Sequence, residues 1–122
     1  MTAQSMSLLY VSNITRSREL YQQLLGQEPL QESADFVMFK LDDGAMLSLL
    51  NRASVKPGVI AEPGAAEIVF LVQEASAVDK GFASWQALGL NMLLPPQQMP
   101  FGYTFLAQDA DGHRLRICQP GR

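Results

Sequence analysis

The chain has 122 residues, of which 48% are hydrophobic and 17% are charged, a composition that fits one compact domain and excludes extensive disorder. Nine Lys and Arg against 12 Asp and Glu give a formal charge of −3, and the scattered basic residues disfavour nucleic-acid binding. The lone cysteine, Cys118, and the lone histidine, His113, exclude an intrachain disulfide, a Cys-based zinc site and a histidine-rich metal site.

The first half of the chain predicts a strand, a helix and three further strands. Residues 6–12 are apolar and rich in β-forming side chains, and Asn13 can cap a helix over residues 15–25. A short edge strand follows the helix. Residues 36–41 and 45–51 then predict a hairpin, because they flank an Asp-Gly turn. The predicted order is β-α-β-β-β.

The second half of the chain predicts the same order of elements. The stretch 53–65 has two Pro-Gly pairs and no periodicity, which indicates a linker. The three prolines within 95–100 favour a loop that enters the last hairpin. The other predicted elements are a strand over 67–73, a helix over 75–88, a short strand near 91–94 and a hairpin of 103–108 with 113–119.

The two halves also resemble each other in sequence. The segments LLYVSNITRSRELYQQLLG (8–26) and IVFLVQEASAVDKGFASWQALG (68–89) both open with an apolar run that ends in Val. Both then pass through a segment of helical period that closes on Leu-Gly. We therefore expect residues 1–122 to form a single domain made of two βαβββ modules, 6–52 and 66–120.

Neither a membrane span nor a secretion signal is evident in the chain. Its apolar runs are shorter than the roughly 20 residues that a membrane-spanning helix needs. The opening MTAQSMSLLYVSN lacks the charged segment of a signal peptide. We therefore expect a soluble cytoplasmic protein that binds neither nucleic acid nor membrane.

Two stretches resemble the vicinal oxygen chelate superfamily, which includes glyoxalase I, extradiol dioxygenases and bleomycin-resistance proteins. YVSNITRSRELYQQLLGQEP (10–29) is similar to the opening strand, cap and helix of the family. PFGYTFLAQDADGHRLRIC (100–118) is similar to its closing hairpin, although Ala110 replaces the usual proline. The resemblance implies an α+β fold in which mixed sheets curl into a cup, and a homodimer.

The resemblance further implies metal-ligand positions on the first and last strands of each module. The repeat assigns these positions to Met6, Ser48, Glu67 and Arg116, where the family pattern has His, Gln or Glu. A divalent metal needs three or four converging oxygen or nitrogen donors, and a guanidinium in that place would repel it. We therefore expect no metal and no other cofactor, which favours a binding protein over an enzyme.

The pair of Glu67 and Arg116 admits two interpretations. They are either a structural ion pair, or they contact a ligand, with Arg116 meeting a carboxylate or carbonyl and Glu67 meeting a donor group. Aromatic and methionine side chains on a loop over a cup can cover a flat ligand. The candidate ligand-binding residues are Ser48, Glu67, Arg116, Met46, Met99, Phe101 and Tyr103.

These residues favour a metal-free binding protein of the bleomycin-resistance type. Such a protein would sequester a planar aromatic or glycopeptide antibiotic, because no nucleophile with a matching base can be assembled from the chain. The alternative is a metal-dependent lyase or dioxygenase whose ligands have shifted to other positions. A regulatory protein that binds a metabolite is a third reading of the same residues.

Overall fold

The computed structural model describes residues 3–121, and its contacts divide the chain into two compact units, Met1–Ala61 and Glu62–Arg122. Each unit contains one α-helix and one four-stranded mixed sheet. This is the α+β architecture of two βαβββ modules that the repeat predicts. No helix in the described part of the chain is long and apolar enough to cross a bilayer.

The first unit begins with a strand and a capped helix, as predicted. The Asn13 side chain accepts a hydrogen bond of 3.0 Å from the backbone N–H of Arg16, which satisfies one donor at the start of the helix. The sheet order is β1-β4-β3-β2, with β1 parallel to β4. The elements are β1 (Met6–Val11), α1 (Ile14–Leu25), β2 (Gln31–Glu32), β3 (Phe36–Lys40), β4 (Met46–Asn51) and a short 3-10 turn (Arg52–Ser54).

The core of the first unit lies on one face of this sheet. The fully buried apolar side chains there come from β1, α1, β3 and β4: Val11, Tyr21, Val37, Phe39, Leu47 and Leu49. Because successive side chains of a strand point to opposite faces, the residues between them in β4 face the other way. That second face carries methionines and one serine.

The second unit repeats the first in order and in pairing. Its elements are β5 (Glu67–Leu71), α2 (Ala75–Ala87), β6 (Asn91–Met99), β7 (Gly102–Gln108) and β8 (Arg114–Pro120). The sheet order is β5-β8-β7-β6, with β5 parallel to β8. Edge-to-face ring contacts join α2 to the sheet, with Phe82 and Trp85 at 5.5 and 5.2 Å from the ring of Phe105.

The two Asp-Gly turns have the same local geometry. Gly44 and Gly112 adopt φ values of +91° and +99°, a region that favours glycine. Their backbone N–H groups donate to the carbonyls of Leu41 and Asp109 at 2.9 and 3.1 Å. These turns connect β3 to β4 and β7 to β8, so each sets the pairing of the last two strands in its unit.

The linker between the modules differs from its prediction at one end. Residues 52–54 form the 3-10 turn, and the chain is irregular from residue 55 to residue 66. The guanidinium of Arg52 donates to the carbonyls of Val59 and Ala61 at 3.1 and 2.9 Å. These bonds tie the irregular segment to the end of the first unit.

The prediction of a loop over residues 95–100 is wrong. Strand β6 continues to Met99, and its pairing with β7 shifts register between Leu94 and Gln97, around two adjacent prolines. A proline lacks the N–H that a central strand donates to both neighbours, but β6 is an edge strand of its sheet. The prolines therefore disturb the pairing of β6 with β7 but do not end β6.

Candidate ligand-binding site

Strand register places Glu67 and Arg116 on the same face of the second sheet. In the parallel pairing of β5 with β8, Glu67 is opposite Arg114 and Val69 is opposite Arg116. Residues two apart in a strand share a face, so the two side chains can meet across the strands. They form a two-pronged ion pair, with Nε of Arg116 at 2.8 Å from Oε1 of Glu67 and Nη2 at 3.2 Å from Oε2.

Two further residues hold the guanidinium in place. Its Nη1 donates to the hydroxyl of Thr104 at 3.3 Å, and that hydroxyl donates to the carbonyl of Ile117 at 2.7 Å. The ring of Phe101 covers the guanidinium, with 5.3 Å from its centroid to Cζ of Arg116. We call Glu67, Phe101, Thr104 and Arg116 the Arg116 cluster.

The members of the Arg116 cluster differ in exposure. The side chain of Arg116 is 10% exposed, that of Glu67 is 30% exposed, and Phe101 is 51% exposed. Thr104 is buried. The surface that the cluster offers to a ligand is therefore an aromatic ring beside a carboxylate, with the cation beneath them.

Hydrogen bonds from Arg116 lower the pKa of Glu67 below its usual range, and the charges of Arg116 and Arg114 add to this effect. Glu67 therefore stays ionised at neutral pH, where the cluster holds one buried cation and one partly exposed anion. The exposed Arg114 is the other charge that acts on this carboxylate.

The depressed pKa of Glu67 predicts a loss of stability in acid. A carboxyl whose pKa is lower in the folded protein contributes fully above its unfolded pKa, and the contribution disappears as the pH falls through its folded pKa. In urea unfolding, we expect the wild type to be more stable than Glu67→Gln at pH 7, with the difference narrowing below about pH 4.5. If the stability difference between wild type and Glu67→Gln were as large at about pH 3 as at pH 7, this role of Glu67 would be contradicted.

The three candidate residues expected in or next to the proline-rich loop lie on three different parts of the chain. Met99 ends β6, Phe101 lies in the tight turn that follows, and Tyr103 lies in β7. The hydroxyl of Tyr103 donates to Asp79 of α2 at 2.6 Å, which raises the pKa of Tyr103 and places its side chain on the helix side of the sheet. Because β7 alternates, Tyr103 faces away from Thr104 and does not join the Arg116 cluster.

Met99 is opposite Gly102 in the pairing of β6 with β7. Directly opposed residues of antiparallel strands share a face, so Met99 lies on the face that carries Thr104. Sequence reasoning did not single out Thr104, although it directly precedes the apolar run from Phe105 to Ala107 and strand alternation places it on the same face as Leu106.

In the first unit, β1 pairs with β4 as β5 pairs with β8 in the second, but the side chains at the corresponding positions differ. Met46 is opposite Met6, while Ser48 is opposite both Leu8 and Met38. The fully buried hydroxyl of Ser48 donates to Sδ of Met6 at 3.1 Å. Two neutral side chains, Met6 and Ser48, thus occupy the positions in this unit that correspond to the ion pair, on a thioether-rich face that also carries Lys40 opposite Met46. Methionine side chains adapt to irregular apolar ligands.

The residues at the four expected metal positions do not suit a divalent cation. In the second unit, both carboxylate oxygens of Glu67 already accept hydrogen bonds from the permanently charged Arg116. In the first unit, the donors are the thioether of Met6 and the hydroxyl of Ser48, which bond each other. Among residues 3–121, no three His, Cys, Asp or Glu side chains cluster as metal ligands would.

Comparison with known proteins identifies relatives over the whole chain. Residues 4–117 match the profile of the Glyoxalase/Bleomycin resistance protein/Dioxygenase superfamily. A phenazine antibiotic resistance protein from Enterobacter agglomerans is 29% identical over 117 residues, covering 93% of this chain and 89% of that protein.

Two solved structures have the same fold. A protein from Agrobacterium tumefaciens, known from a solution structure, is 40% identical, with a TM-score of 0.90 over 100% of both chains. A glyoxalase-related enzyme from Fulvimarina pelagi is 18% identical, with a TM-score of 0.87 over 98% of this chain and 88% of the other. The second likeness concerns the fold alone.

Proposed function

The chain belongs to the Glyoxalase/Bleomycin resistance protein/Dioxygenase superfamily, and we propose that it is a binding protein that sequesters a planar aromatic, antibiotic-like compound without chemically changing it. The observation that carries this proposal is the Arg116 cluster. Where the family resemblance implies a metal ligand, the chain has a cation paired with Glu67 and covered by Phe101. This arrangement favours binding over metal-assisted chemistry.

The ring of Phe101 is the feature that suits a flat ligand. It is half exposed, and it lies in the two-residue turn between β6 and β7, which restricts its position. Stacking of a second aromatic ring on it would contribute about 0.5–1.5 kcal/mol beyond the burial of apolar area. The first unit has its own thioether-rich face around Ser48, with side chains that adapt to irregular apolar groups.

The relative from Enterobacter agglomerans supports this class of ligand, since it is a phenazine antibiotic resistance protein and phenazines are planar aromatic molecules. For this reason we favour a planar aromatic over a glycopeptide. We also propose that the protein acts as a cytoplasmic homodimer. The family resemblance supports the dimer, and the buried free thiol of Cys118 is compatible with a reducing compartment.

Titration of the purified protein with phenazine, followed by calorimetry or fluorescence quenching, tests this function. We expect saturable binding with the phenazine recovered unchanged. Phe101→Leu should weaken binding by about threefold to tenfold, because leucine retains apolar area but loses the stacked ring. Ile60→Ala is the control, since Ile60 is 96% exposed and belongs to the first unit, and its affinity should not change.

Two results would contradict the proposal. The first is the absence of binding to phenazine and to its substituted derivatives. The second is stoichiometric zinc, nickel, iron or manganese in the purified protein together with turnover of a bound compound, which would favour the lyase or dioxygenase alternative.

A further inference from the structure

The guanidinium of Arg116 has few groups left with which to contact a ligand. Three of its five N–H groups are used, since Nε and Nη2 donate to Glu67 and Nη1 donates to Thr104. The ring of Phe101 covers the guanidinium, and only 10% of the side chain is exposed. The two N–H groups that remain lie on this buried side chain, where a ligand carboxylate reaches them poorly.

Glu67 is more exposed than Arg116 and keeps acceptor sites that a ligand can reach. Its side chain is three times as exposed as that of Arg116, at 30% against 10%. Each carboxylate oxygen accepts one hydrogen bond from Arg116, and a carboxylate offers about four acceptor sites in total. The remaining acceptor sites are available to a donor on a ligand.

The charges near the cluster do not favour an anionic ligand over a ligand that donates a hydrogen bond to Glu67. Glu67 and Arg116 neutralise each other, and Arg114 lies opposite Glu67 on the neighbouring strand. Arg114 is exposed, so water and salt screen its charge. An anionic ligand would therefore gain little from Arg114 and would approach the carboxylate of Glu67.

We infer, on the basis of the proposed function, that Glu67 contacts the ligand and that the site selects planar aromatics carrying a hydrogen-bond donor, such as an amino group, over those carrying a carboxylate. Phe101 stacks on the ring system, and Glu67 accepts from its substituent. Arg116 is a positioning residue, which holds the carboxylate through two bonds and keeps it ionised. This assigns Arg116 a different role from direct contact with a carboxylate or carbonyl of the ligand.

Calorimetric titration at pH 7 with phenazine, a diaminophenazine and a phenazine carboxylate tests this selectivity. We expect the wild type to bind the diaminophenazine about tenfold more tightly than the carboxylate, the usual effect of one hydrogen bond to a charged group. Glu67→Gln should reduce affinity for the diaminophenazine about tenfold while changing that for phenazine less than about twofold. Glu67→Asp, which keeps the charge, should retain the preference for the donor.

Arg116→Gln distinguishes positioning from contact. If Arg116 acts through Glu67, Arg116→Gln follows the pattern of Glu67→Gln: the affinity for the diaminophenazine falls, while those for phenazine and the carboxylate change by less than about twofold. A selective loss of the carboxylate probe would show direct contact with Arg116 and would overturn the inference. Arg114→Gln is the matched control, because it removes an exposed arginine from the same strand, and we expect changes below about twofold.

The failure of this inference differs from failure of the proposed function. Binding of all three probes with a preference for the carboxylate overturns the inference and leaves sequestration of a planar aromatic intact. Absence of binding by all three probes to folded wild-type protein overturns both.

Discussion

Glu67→Ala should lower the free energy of unfolding by about 3 kcal/mol, the lower end of the cost of removing one partner from a buried ion pair. The reason is the burial of the cation left behind. Arg116 is 10% exposed, and without Glu67 its Nε and Nη2 lose their acceptors in a place that water reaches poorly. Urea unfolding at pH 7 measures the loss.

Removal of the cation instead of the carboxylate should destabilise the protein less. In Arg116→Met the remaining charge belongs to Glu67, which is 30% exposed and can bind water or a proton, and methionine fills much of the vacated volume. We expect a loss of about 1–2 kcal/mol. A larger loss for Arg116→Met than for Glu67→Ala would contradict the account of the pair as a buried cation held by a more exposed anion.

An exposed ion pair in the first unit provides the control. Arg18 and Glu32 have a comparable distance of 2.7 Å, but their side chains are 31% and 46% exposed. Glu32→Ala should therefore destabilise the protein much less than Glu67→Ala. The comparison isolates burial, since the two pairs share chemistry and geometry.

The repeat and the family resemblance together placed Glu67 and Arg116 on one face of neighbouring strands. Because side chains alternate, equal positions in the two halves lie on equal faces. An ion pair between Glu67 and Arg116 was one of two interpretations of these residues, whereas the contact of Met6 with Ser48 was not predicted. The sequence did not predict the chemistry around the guanidinium. The position of Phe101 over Arg116 depends on the β6–β7 turn.

The proline-rich segment shows why this turn was missed. Local propensity disfavours a strand through adjacent prolines, and only the sheet order reveals that β6 is an edge strand, where prolines are tolerated. A glycine inside α2 has a similar explanation. Gly81 weakens a helix by about 1 kcal/mol relative to alanine, but a Cβ there would lie 2.3 Å from Cδ1 of Ile117. The absent side chain lets the helix approach β8 closely.

Gly102→Ala should be at least as destabilising as the loss of Glu67, at about 3 kcal/mol or more. A Cβ at this position would lie 2.3 Å from the carbonyl oxygen of Gln119 and 3.0 Å from Cα of Pro120. Both atoms belong to the backbone of β8, so no change of rotamer relieves the overlap and the two strands must separate. Thermal and urea unfolding measure this effect.

Gly58→Ala is the matched control, because a Cβ there meets no atom within 4 Å and the residue has no positive φ. We expect it to change stability by less than about 1 kcal/mol, with slight stabilisation from a less flexible unfolded chain. If Gly102→Ala changed stability as little as Gly58→Ala, the close approach of β7 to β8 would be refuted.

The Gly102 substitution should also affect the ligand site. Gly102 directly follows Phe101, and Thr104 lies two residues further along β7. Separation of β7 from β8 would move both contacts of the guanidinium, the ring and the hydroxyl, away from Arg116. We therefore expect phenazine affinity in the folded fraction of Gly102→Ala to fall at least as far as in Phe101→Leu, because the whole cluster depends on a strand pairing that only glycine permits.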